Sequence, residues 1–165
     1  MATFSSPLGT QFDQRQYLQT YLRLQLTLDT QVLLPMKQMQ EVLVVPAERI
    51  TPIPNMPECV VGLLNQRNRV FWIIDLSRLL ELTYLNLEIQ DYYIAIVRVG
   101  NFSLGLVVQE VHGVLRIAPE AIESTMATVP FGIIPYLKGC VIHPQEGILL
   151  VLEPSAILNS PVLNG

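Results

Sequence analysis

ITPIPNMPECVVGLLNQRNRVFWIIDLSRLL, residues 50–80, is the stretch on which the reading of the fold turns. Pro52, Pro54 and Pro57 each fix φ and remove a backbone donor, so the lead-in is an extended loop. Two apolar runs follow, at residues 60–64 and 70–74, separated by the polar Gln66-Arg67-Asn68-Arg69. This is the pattern of a β-hairpin, and Asn68 tolerates the positive φ that a tight hairpin turn demands. Asp75 stands just ahead of Leu76, Leu79 and Leu80, whose spacing marks one face of a short helix that the carboxylate can cap. A strand feeding a capped helix therefore ends a structural unit here.

Working outward, residues 1–16 are polar, carry Pro7 and Gly9, and have no usable period; a flexible arm is expected. Leu18, Leu22, Leu24, Leu26 and Leu28 then alternate with Gln19, Tyr21, Arg23, Gln25 and Thr27, the signature of a strand with one wet face. Strands at 32–36 and 39–45 follow turn chemistry at Asp29-Thr30-Gln31. The second half repeats the order: strands at 92–99, 102–108 and 111–117, an irregular loop at 118–135, a hairpin at 137–142 and 148–152, and a short helix after Pro154. Gln109-Glu110-Val111 echoes Gln40-Glu41-Val42, and Gly139 answers Gly62. An internal duplication accounts for the pattern economically, and five short strands per half curl most readily into small barrels that remove exposed edges. The expected organisation is one all-β domain with short helices over residues 17–159, divided into subdomains at 17–84 and 85–159, with a tail at 160–165.

Composition narrows the function. Of 165 residues half are hydrophobic and only 15% are charged, with a net charge of −4. That acidity leaves no electrostatic footprint for nucleic acid or an anionic membrane. No apolar run approaches the roughly 20 residues that span a bilayer. The first residues lack the basic-then-apolar order of a secretory signal, so a cytoplasmic location is expected. Cys59 and Cys140 stand alone, which reads as two buried reduced thiols. His112 and His143 have no ligand-spaced neighbours, Ser77 and Ser155 lie on the closing helices without a nucleophile elbow, and phosphate-cradling glycine loops are absent from the sequence. No enzyme activity, metal or cofactor is expected. A small-barrel enzyme or nucleic-acid binder is disfavoured on the same grounds.

The order Q-E-V, I-T-P-I-P-N-x-P, G-L-L-N-Q-R-N and V-F-W-I-I-D-L, joined by the second-half Y-L-x-G, resembles the CheW family of bacterial chemotaxis coupling proteins from about Tyr17 to Asn159. The resemblance implies two five-stranded, SH3-like β-barrel subdomains packed side by side. It also implies a non-catalytic adaptor between the cytoplasmic tip of a methyl-accepting chemotaxis receptor and the regulatory domain of a CheA-type histidine kinase, itself CheW-like. Chemotaxis, phototaxis and type IV pilus motility are the settings implied; a structural scaffold of an array or pilus system, without a conventional receptor, is the alternative.

Carried over residue by residue, Asn65 and Arg67 match the family's N-x-R-G turn, with Asn68 in place of the glycine. Glu41 matches the acidic residue of the receptor-facing strand, and Met39 stands two residues earlier on what would be the same face, either packing a partner helix or serving as an ordinary core methionine. These five form the expected partner site. Gly62, Asp75, Leu76 and Gly139 read as scaffold residues. The apolar loop around Met126, Val129, Phe131, Ile133 and Ile134 either folds back over the second barrel or offers a second contact surface, with Phe131 and Ile133 as its candidates. Cys59 replaces a usual aromatic and Trp72 a common proline, leaving Trp72 open as either core filler or exposed anchor.

Overall fold

The computed structural model describes residues 17–82, 89–124 and 129–164. The expected arm at 1–16 and Met126 lie outside them. Ten strands alternate with tight turns: β1 (Gln19–Thr27), β2 (Thr30–Pro35), β3 (Met39–Pro46), β4 (Val60–Gln66), β5 (Arg69–Asp75), β6 (Asp91–Val99), β7 (Phe102–Val108), β8 (Glu110–Ile117), β9 (Leu137–His143) and β10 (Gly147–Leu152). Short helices α1 (Leu76–Leu79), α2 (Pro154–Leu158) and α3 (Pro161–Asn164) follow β5, β10 and Ser160. The residues read as a tail therefore include a helical turn, held by the fully buried Ser160, whose hydroxyl is 2.6 Å from that of Tyr136.

The strands form two five-stranded sheets, ordered β8-β1-β2-β10-β9 and β3-β6-β7-β5-β4. The boundary expected near residue 84 separates the two repeats but not the two sheets. Sheet two is the contiguous block β3 to β7, inserted between β2 and β8 of sheet one. The β1–β2 hairpin occupies in sheet one the place that β6–β7 occupies in sheet two. Parallel pairing is correspondingly duplicated, β10 with β2 and β5 with β7.

Each sheet curls because its ends are tied. Thr51, beyond β3, exchanges two backbone hydrogen bonds with Leu63 of β4, at 2.8 and 2.9 Å. Glu123, beyond β8, does the same with Cys140 of β9, both at 2.8 Å. A glycine sits beside each bridge for a steric reason. A Cβ on Gly62 would collide with the Thr51 carbonyl oxygen, and one on Gly139 would stand 2.6 Å from that of Glu123.

Three apolar clusters result. One lies between the sheets, with Leu22, Leu24 and Leu26 of β1 facing Ala95, Val97, Leu104 and Leu106 of β6 and β7, closed by Leu76 and Leu80. A second lies inside sheet two, around Leu64, Phe71, Ile73 and Ile94. The third lies inside sheet one, around Tyr21, Leu33 and Val151. Strand β1 thus has no wet face. Tyr21 is fully buried, and Arg23 is held inside by Glu146 at 3.0 Å and Gln31 at 2.6 Å. The alternation of one buried and one wet face belongs to the edge strands β3 and β8.

Asp75 caps α1 by accepting from the backbone N–H of Ser77 at 3.1 Å and of Arg78 at 3.4 Å. Buried Ser77 donates its hydroxyl to the Leu26 carbonyl at 3.1 Å, joining the helix to β1. Both cysteines are free and buried, and burial pushes both thiols up. Burial likewise raises the Asp75 carboxyl, against the opposing pull of the Arg78 and Ser77 N–H groups and the Arg78 guanidinium.

Two predictions follow from this geometry. Gly62→Ala and Gly139→Ala should each lower stability by about 2–3 kcal/mol, since the collisions are largely with backbone; urea denaturation measures it, and a loss no larger than that of Gly100→Ala would refute the steric account. Because the native pKa of Asp75 lies above its unfolded value, the native state holds this proton more tightly, and stability falls as pH rises from about 4 through the raised value. Asp75→Asn should keep the cap and flatten that fall, whereas Asp75→Ala should cost about 1 kcal/mol at neutral pH through loss of the cap.

Candidate partner-binding face

The β4–β5 hairpin closes through two residues, Arg67 at φ 53° and Asn68 at φ 62°. Both central residues at positive φ is the requirement of a type I′ turn, whose twist matches the flanking strands. The sequence reading assigned that conformation to Asn68; Arg67 shares it, at a cost of roughly 1–2 kcal/mol for a side chain that lacks asparagine's local hydrogen bonding. Strain of this kind persists where the surroundings over-determine it. Here the strands fix the turn from Gln66↔Arg69 inward.

Arg67 reaches β3, where its Nη2 lies 3.3 Å from Glu41 Oε1. The arginine side chain is 79% exposed and the glutamate 21%, so the pair is anchored at one end and open at the other. Two residues far apart in sequence are thus brought together on one rim of sheet two. Asn65 and Asn68 are exposed beside them.

Met39 does not share their face. The β3–β6 register shifts between Met39 and Glu41, with Met39 opposite Val97 and Glu41 opposite Ile96. The extra residue of this bulge sets Met39 and Glu41 opposite neighbouring β6 residues, whose side chains point to opposite faces. Val97 belongs to the cluster between the sheets and Ile96 to the cluster inside sheet two. Met39 accordingly packs, partly buried, against the inter-sheet core.

Arg49 joins the rim although no motif marked it. Its guanidinium donates to the Asn65 carbonyl at 2.9 Å and to Gln66 Oε1 at 3.0 Å. Arg69 places its guanidinium carbon 5.8 Å from the centre of the Phe71 ring. Thr51, two residues beyond Arg49, is paired with Leu63, two residues before Asn65; that register was the only signal that could have placed Arg49 here.

The loop surface divides. Phe131 is 86% exposed, but Ile133 is fully buried in the inter-sheet core and leaves the candidate surface. Ile134, in the same helical turn as Phe131, is half exposed. Trp72 is neither core filler nor free anchor. At 40% exposed it lines an open groove of about 370 Å³ with Met56, Phe102, Leu104, Leu158 and Leu163. Among the described residues no three histidine, cysteine, aspartate or glutamate side chains are grouped to hold a metal ion, and no helix is long and apolar enough to cross a membrane.

Comparison with known proteins accords with this architecture. A model of the CheW-like domain matches residues 21–162. Similar proteins include the chemotaxis protein CheW of Thermotoga maritima, 28% identical over 90 residues that cover 54% of this chain and 58% of that one. The chemotaxis protein CheW of Treponema pallidum is 26% identical over 123 residues, covering 73% and 72%. Among solved structures, the scaffolding protein TtCheW of Thermoanaerobacter tengcongensis superposes with a TM-score of 0.70 at 22% identity, over 82% of this chain and 89% of that one, a likeness of fold. The chain belongs to the CheW-like domain family.

Proposed function

We propose that this protein is a non-catalytic signal-transduction adaptor, coupling the cytoplasmic tip of methyl-accepting chemoreceptors to the regulatory domain of a CheA-type histidine kinase. Chemotaxis, phototaxis or type IV pilus motility is the setting. The observation that carries the reading is the Arg67–Glu41 pair, because it unites on one exposed rim the two positions that match the family's partner-facing strand and turn. A planar guanidinium presented on a rigid turn makes bidentate contacts with little ordering cost. The family of the chain and the chemotaxis names of its relatives support the same reading.

Phe131 with Ile134 supplies a second exposed apolar contact, suited to the kinase domain or a neighbouring coupling module. That exposure also favours the second reading, a structural scaffold of an array or pilus system with no conventional receptor. Copurification from cells separates the two: a receptor in the isolated complex supports the first, and a receptor-free assembly the second.

Arg67→Glu should weaken pull-down of receptor-tip fragments about tenfold with an unchanged circular dichroism spectrum. Unimpaired binding would remove the site. Arg67→Gly separates recognition from folding: relief of the left-handed strain should raise stability by about 1 kcal/mol while binding falls. Loss of both together would mean that the arginine serves the fold rather than a partner.

A further inference from the structure

We infer that the rim around the β4–β5 turn is a cationic seat for a carboxylate-bearing segment of the receptor tip, with Arg49 and Arg69 acting beside Arg67. The inference rests on the proposed reading of Arg67 and Glu41 as the receptor-facing pair. It goes further by fixing the charge of what binds there and by adding two residues that no family motif marks.

The chain carries a net charge of −4, yet three guanidinium groups gather at one two-residue turn. Two of them are held in a way that preserves their charge. Arg49 is fastened by a backbone carbonyl and an amide oxygen, both neutral. Arg69 lies over the face of Phe71, an attraction that orients the cation without cancelling it. Only Arg67 meets a carboxylate, that of Glu41. Among the described residues neither Arg49 nor Arg69 forms an ion pair, and Glu48, exposed beside Arg49 in the chain, forms none either. Three cations thus face one anion, on residues that are themselves exposed.

The chemistry of the occupant follows from these groups. Guanidinium forks match carboxylates in geometry as well as charge. Asn65 and Asn68 add neutral donors and acceptors. Val70, exposed and paired across the strands with Asn65, points to the face opposite Arg69 and Phe71 and takes no part. A segment bearing two or more Asp or Glu side chains satisfies the guanidinium groups. Rim charges of this kind act mainly by steering encounter and selecting among partners, and salt screens them.

The test is a titration of the full chain with a receptor-tip fragment encoded by the same genome, at about 50 mM and about 500 mM salt. Arg49→Glu and Arg69→Glu should each weaken binding about tenfold at low salt and much less at high salt. Arg49→Lys and Arg69→Lys, which keep the charge but lose the planar fork, should weaken binding by clearly less than the charge reversals do. Lys138→Glu, on sheet one, should bind like the parent protein. Circular dichroism and Tm verify the fold, and Arg69→Gln provides a milder variant should Arg49→Glu loosen the hairpin. If both reversals bind like the parent while Arg67→Glu does not, the cationic seat is wrong and the Arg67 site stands. If Arg67→Glu also binds like the parent, the site and the seat fall together. Loss of the kinase regulatory domain with the receptor tip unaffected would likewise overturn the assignment.

Discussion

Everything in this molecule hangs on the burial of both faces of two hairpins. The strands β1, β2, β6 and β7 press one side against each other across the inter-sheet core and the other side into their own curled sheet. A strand wetted on neither face must be apolar nearly throughout, which is why Val32-Leu33-Leu34, Ile94-Ala95-Ile96-Val97 and Leu104-Gly105-Leu106 read as continuous runs. The polar residues that do occur there are accommodated individually. Arg23 is paired with Glu146, and Gly105 leaves room for Ile73 and Ile94 where a side chain would not fit.

With its centre filled, the fold is left with its rims and edges for recognition. The bridges at Thr51–Leu63 and Glu123–Cys140 draw each edge strand toward the far side of its own sheet, limiting open edge that another chain could pair with. The rim of sheet two then gathers side chains from the start of β3, the lead-in to β4 and the β4–β5 turn. The contrast with sheet one is instructive, because its corresponding turn is closed locally by His143 Nδ1, which accepts from the N–H groups of Gln145 and Glu146 at 3.2 and 3.1 Å. One repeat uses its turn for self-satisfaction; the other leaves Arg67 projecting.

Much of this was legible in the residues. Turn chemistry at Gln66-Arg67-Asn68-Arg69 located the first closing hairpin, Asp75 announced the helix, and paired Gly62 and Gly139 exposed the repeat. Partner choice was not legible, because alternation tells which face a residue occupies and is silent on which strand lies alongside. Hence the repeat was read as two successive barrels, when the N-terminal hairpin in fact completes the sheet of the C-terminal strands. Tyr21 and Arg23 looked solvated because a barrel interior with room for a buried ion pair tolerates polar residues. At the candidate site, Glu41, Asn65 and Arg67 come from the family resemblance. The register shift that turns Met39 away and the reach of Arg49 leave no local trace in composition or period.

The insertion of sheet two within sheet one also sets an order of events on the ribosome. Sheet two spans residues 39–108 without interruption, so it can close once β7 has emerged. The β1–β2 hairpin emerges first; its partner β8 follows directly after β7, and its other partner, β10, comes only near the end of synthesis. At roughly 5–20 residues per second, it waits on the order of ten seconds with apolar side chains on both faces. During that interval the finished sheet two offers β6 and β7 as its nearest apolar shelter. The inter-sheet core thus gives that hairpin apolar cover before β10 arrives to complete its own sheet.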